Sequence, residues 1–99
     1  MKLALFARLE AKAGKENEVA EFLKQGLALA RQEATTLMWF ALRLGPTTFA
    51  IFDAFADEDG RQRHLAGPIA KALMAQAPTL FAEPPAIEPL EVLGAKLPA

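Results

Sequence analysis

From Lys2 to Glu10 the chain alternates, with Leu3, Leu5, Ala7 and Leu9 on one face and Phe6, Arg8 and Glu10 on the other, the period of a half-buried strand. Ala13-Gly14 ends it. From Lys15 to about Glu33 the period changes. Val19, Phe22, Leu23, Leu27 and Ala30 recur at three- and four-residue spacing, and Glu16 and Glu18 stand where the helix dipole favours acids, so this stretch reads as an amphipathic helix. Gly26 is a weak point inside it. Thr36 to Leu44 and Thr48 to Phe55 are apolar, aromatic-rich runs separated by Gly45-Pro46-Thr47, a hairpin signature. A turn centred on Pro46-Thr47 pairs Leu44 with Phe49. That register places Met38, Phe40, Leu42, Phe49, Ile51, Asp53 and Phe55 on one face and Leu37, Trp39, Ala41, Arg43, Ala50, Phe52 and Ala54 on the other. Both faces are mainly apolar, so one should meet the chain's own helices and the other a second subunit.

Asp57 suits the N-cap of a second helix, broken or bent at Gly67-Pro68 and continuing through Ile69, Leu73 and Met74 to Ala77, before Pro78. Glu83-Pro84-Pro85 reads as an extended linker. Ile87 to Leu97 predicts a last strand, and Pro89 within it argues for an edge or for an arm reaching a neighbour. The order strand, helix, strand, strand, helix, strand is the ferredoxin-like βαββαβ arrangement, an α+β fold with an antiparallel sheet and helices on one face. At 99 residues a single domain over 1–99 is expected.

Apolar residues make up 53% of the chain, high for a domain with so little interior, which points to a homodimer. Eleven basic against twelve acidic residues leave a net charge of -1 with no basic stripe, so neither nucleic acid nor an anionic membrane is an expected partner. The absence of cysteine excludes disulfides, thiolate zinc sites and a cysteine nucleophile. With one histidine and no Gly-rich strand-to-helix phosphate loop, no metal and no cofactor is expected. Arg8 and Glu10 interrupt the N-terminal apolar run too early for a signal peptide or a membrane span, and a cytoplasmic location follows as an expectation.

The chemistry of the chain converges on Phe49 to Pro68. An acid, Asp53, an aromatic, Phe55, and the single histidine, His64, flank one strand-to-helix junction, where a pocket can form. His64 reads either as a hydrogen-bonded structural histidine or as a general base, or a donor to a ligand oxygen. Asp53 in an apolar strand face needs a partner, with Arg61, Arg63 and His64 the candidates. Its role is then a salt bridge holding the second helix to the sheet, or a carboxylate orienting His64.

The run Asp53-Ala54-Phe55, then His64-Leu65-Ala66-Gly67-Pro68-Ile69, together with Leu5 to Val19, resembles the antibiotic-biosynthesis-monooxygenase family of dimeric α+β barrels across nearly the whole chain. The family's third strand ends in an acid-x-Trp element followed about nine residues later by His-Leu and a Ser-Pro-His-like turn. The departures are informative: Phe55 stands at the Trp position, Ile69 at the second histidine, the first strand has no Asn, and the chain has no tyrosine. Haem degradation, which in this family uses that Trp and Asn, is therefore not expected.

The resemblance implies a cofactor-independent monooxygenase, or a related small-molecule enzyme, acting on an activated aromatic such as a quinol. Its alternative is a non-catalytic dimeric barrel that holds an apolar metabolite or is structural. The expected catalytic residues are His64 and Asp53. The pocket is expected between sheet and second helix, lined by Phe6, Phe40, Leu42, Ile51, Phe55 and Leu65, and the dimer interface at Leu37, Trp39, Ala41 and Phe52.

Overall fold

In the computed structural model, which describes residues 1–98, four strands and three helices follow in the order β1 (Leu3–Glu10), α1 (Glu16–Ala30), β2 (Met38–Arg43), β3 (Thr48–Phe55), α2 (Glu58–Leu65), α3 (Pro68–Leu80) and β4 (Ala86–Glu91). Ala99, the last residue of the expected domain, lies outside the described residues. The strands form one antiparallel sheet in the order β2-β3-β1-β4. This is the ferredoxin-like α+β arrangement. Alternation in β1 and β3 turns Ala7, Leu9, Phe49 and Ile51 toward the helices, where they form one core with Val19 and Leu23 of α1 and Leu73 and Leu80 of α3.

The hairpin register is one residue away from the expected one. Leu44 N–H donates to Thr48 C=O at 2.8 Å, so the loop is Gly45-Pro46-Thr47 and Arg43, not Leu44, lies opposite Phe49. Arg43 holds that loop by donating to the carbonyls of Gly45 at 3.2 Å and Pro46 at 3.0 Å. Because side chains alternate with a period of two, the slip reverses both faces of β2 while leaving β3 unchanged. Trp39 and Ala41, expected at a dimer interface, lie opposite Asp53 and Ile51 on the helix face. Phe40 and Leu42, expected in the pocket, lie opposite Phe52 and Ala50 on the outer face. Phe6 joins them there, since it pairs with Phe52 and alternates with Leu5, which pairs with Asp53.

Asp57 caps α2 as expected, accepting from Gly60 N–H at 2.9 Å. The chain then breaks at Gly67, and Pro68 opens α3, where its missing N–H costs nothing. Helix α3 runs past Pro78 to Leu80 instead of ending at Ala77. Phe81 N–H still closes the last turn onto Ala77 C=O, and Lys12 donates to the carbonyls of Pro78 and Leu80, so the terminus is satisfied from the β1–α1 connection. Strand β4 ends at Glu91, well short of Leu97, with Glu91 opposite Leu3 and one further hydrogen bond, from Val92 N–H to Lys2 C=O at 2.8 Å, closing the ladder. As Pro89 requires, β4 is an edge strand.

Candidate functional site

His64 is the centre of a buried charged cluster between α2 and the sheet. It lies on the inner face of α2 at 7% exposure, its ring tilted against Phe55 at a centroid separation of 5.3 Å. Its Nε2 is 2.8 Å from Asp53 Oδ2 and its Nδ1 is 2.6 Å from Glu33 Oε1. Each ring nitrogen thus faces a carboxylate oxygen, an acceptor, and this two-sided contact favours the ring that donates from both nitrogens, the imidazolium. Thr36 Oγ1 donates to the same Glu33 oxygen at 2.8 Å. The two arginines considered as partners for Asp53 go elsewhere: Arg61 to Glu58 at 2.5 Å and Arg63 to Asp59 at 2.8 Å.

Burial is the largest single influence on His64 and opposes its charge, but the hydrogen bonds and charges of Asp53 and Glu33 together outweigh it and hold the imidazole above its ordinary value of 6.5. A raised folded-state pKa makes the cluster fully stabilising below the unfolded value, with that contribution lost as pH rises through the folded one. The urea midpoint of the protein, followed from about pH 5 to about pH 9, should therefore fall on the alkaline side of 6.5, and His64→Gln should remove that part of the slope. A midpoint that is flat, or that rises over this range, would contradict the buried imidazolium.

Of the residues expected at the site, the structure brings together Asp53, His64, Ile51 and Leu65 around a small cavity of about 30 Å³, while Phe55 packs on the His64 ring without lining the cavity. That is room for about one water molecule. Asp53 lines this cavity, and its second oxygen, Oδ1, is buried with no hydrogen-bond partner. Four residues of the cavity wall, Leu65, Ala70, Leu73 and Ile87, also wall a larger groove of about 200 Å³ between α3 and β4, which reaches outward to Lys71 and Met74. Among the described residues, no group of three or more His, Cys, Asp or Glu side chains could hold a metal ion.

Glu33 and Thr36 are site residues that the sequence reading missed. They sit in the connection between α1 and β2, 31 and 28 positions from His64, and a polar stretch after a helix carries no signal of such a partner. The one local hint is Gly67, where an added Cβ would meet Glu33 Oε2 at 3.2 Å, so the break between α2 and α3 stays open for that carboxylate. Gly26 has a similar reason. A Cβ there would meet the Trp39 indole at 3.3 Å, so the weak point in α1 is the seat of a residue on β2.

No family model and no curated relative matches the chain. Among solved structures, a Nitrosomonas europaea protein of unknown function is 62% identical, with 99% of this chain and 95% of that one covered and a TM-score of 0.96. A second Nitrosomonas europaea structure, provisionally named an antibiotic biosynthesis monooxygenase, is 15% identical over 93% of this chain and 99% of its own, with a TM-score of 0.82. A Caulobacter crescentus structure with the same provisional name is 20% identical over 94% and 91%, with a TM-score of 0.80. At these identities the last two share the fold.

Proposed function

Since the chain belongs to one family with the 62% identical Nitrosomonas europaea protein, on the fold of the structures named for antibiotic biosynthesis monooxygenases, we propose that it is a small-molecule oxidoreductase of that kind. Its substrate is an activated, hydroxylated aromatic of quinol or anthrone type. The observation that carries this reading is Asp53: a buried carboxylate that lines a cavity, with one oxygen held by His64 and the other without a partner. An unpartnered buried acceptor costs about 1–3 kcal/mol, a cost that a substrate O–H would offset.

In this reading the aromatic ring occupies the groove between α3 and β4, and its acidic proton reaches Asp53 Oδ1. The substrate O–H bond breaks, the proton goes to the carboxylate and the electron pair stays on the substrate. His64, donating to Oδ2, and Glu33 behind it hold the carboxylate in place. His64 is thus a positioning residue rather than a free base, because neither of its nitrogens is open. The substrate anion is itself the reductant of dioxygen: in an anthrone the CH₂ is oxidised to C=O with release of one water, and in a quinol one ring C–H becomes C–OH as the ring is oxidised to the quinone, again with one water, so either step balances without a further cofactor. A dry pocket favours this by keeping the anion from being reprotonated by solvent.

The working unit in this proposal is a cytoplasmic homodimer, joined through the outer face of the sheet, where Phe6, Phe52 and Phe40 lie side by side on three adjacent strands. The Phe40 and Phe52 rings are 6.2 Å apart, and Phe40 is 44% exposed in a single copy. An apolar face of this kind is a partner surface. Neither nucleic acid nor a membrane is a partner in this reading, and among the described residues no helix is long and apolar enough to cross a membrane.

The water-sized cavity beside His64 supports a second reading, a non-catalytic domain in which the cluster only pins α2 to the sheet. Oxygen uptake with anthrone and with hydroquinones separates the two. The proposal expects uptake above the spontaneous rate, lost in Asp53→Asn. No uptake, together with no shift of the Leu65 and Ile87 resonances on adding these compounds, leaves the structural role.

A further inference from the structure

The helix layer contains a second small cavity, of about 20 Å³, between α1, α3 and the sheet. Its walls include Gly26, Trp39 and Ala72, and it shares Ile51, Ile69 and Leu73 with the cavity beside Asp53 and His64. It presents no polar surface. A space of this size has room for about one water, but a buried water needs roughly two to four polar partners, and apolar cavities that lack them stay dry and take up apolar guests such as xenon. Two of its walls meet at position 26, where the missing Cβ leaves room for the indole: an alanine there would stand 3.3 Å from the Trp39 ring.

We infer that this apolar cavity is a dioxygen site, one side-chain layer away from the carboxylate that takes the substrate proton. The inference rests on the proposed oxidation, for which it supplies the location of the co-reactant. A nonpolar diatomic molecule gains from leaving water for an apolar wall, makes no demand for hydrogen bonds and matches the size of the space. The three shared side chains separate it from the site of the substrate anion, so rotamer motion at Ile51, Ile69 or Leu73 is enough to pass the gas across.

The test uses the whole protein in solution, with xenon as the probe and methyl resonances as the readout. Xenon pressure should shift the methyls of Ile51, Ile69 and Leu73 well beyond that of the exposed Leu93, dissolved dioxygen should broaden the same signals, and Ala72→Leu, which fills the space, should abolish both effects. Ala72→Val serves if the larger side chain prevents folding. Shifts no larger than at Leu93, shifts that persist in the filled variant, or a bound water detected in the cavity would overturn the site. Xenon-dependent shifts without oxygen uptake on any aromatic leave the gas site standing and remove the proposed reaction. Uptake without such shifts removes this site and leaves the reaction.

Discussion

Asp53→Ala is expected to lower the unfolding free energy by about 3 kcal/mol, the low end of the ~3–5 kcal/mol typical for removing one member of a buried ion pair. Asp53 is 2% exposed and holds His64 at 2.8 Å, so truncation leaves a buried imidazolium N–H with no acceptor. Glu33, 2.6 Å from the other nitrogen, still balances the charge and keeps the loss from the upper end. Asp53→Asn retains an acceptor of similar shape and should cost less. Urea unfolding near neutral pH measures both, and equal losses would mean that the carboxylate charge, absent from both variants, matters more than the hydrogen bond. A loss under about 1 kcal/mol for the alanine variant, the scale of an exposed pair, would mean that His64 does not depend on Asp53.

Phe52→Asp is expected to turn the proposed homodimer into a folded monomer. Phe52 lies on the inner strand β3 with Phe6 and Phe40 as its cross-strand partners, so a carboxylate there introduces an unpaired charge into the middle of the apolar face. A central aromatic anchor contributes at least about 2 kcal/mol to association. Sedimentation velocity at micromolar concentration should show the wild type as a dimer and the variant as a monomer with unchanged far-UV circular dichroism. A variant that still sediments as the dimer would place the subunit contact elsewhere. Trp39, packed against Gly26 on the opposite face, is predicted to affect the fold of each subunit instead of the assembly.

Much of this architecture is legible in single-chain patterns. The alternation of Leu3, Leu5, Ala7 and Leu9, the three- and four-residue spacing from Val19 to Ala30, the Asp57 cap and the Gly67-Pro68 break each encode a local preference that the packed chain does not override. The pairing of β2 is the instructive exception. Whether the hairpin loop takes two residues or three depends on the hydrogen bond from Leu44 to Thr48 and on Arg43 closing the loop, and Gly45-Pro46-Thr47 is compatible with either choice. One residue of slip was enough to exchange Phe40 and Leu42 for Trp39 and Ala41 between the pocket and the outer face.

By itself the sequence determined the class of fold, the order of elements, and the proximity of Asp53, Phe55 and His64, because period, caps and turns are local and the strand-to-helix junction is short. It also indicated, through an apolar content beyond what one small core absorbs, that a surface would be left uncovered. Only the tertiary structure decided the electrostatics of the site. Glu33 reaches His64 from 31 positions away, across the turn after α1, and turns a histidine that reads either as structural or as a general base into a ring held by carboxylates on both sides, which favour its protonated form. The protonation state of a buried group is set by its surroundings in space, and no local spacing carries that information.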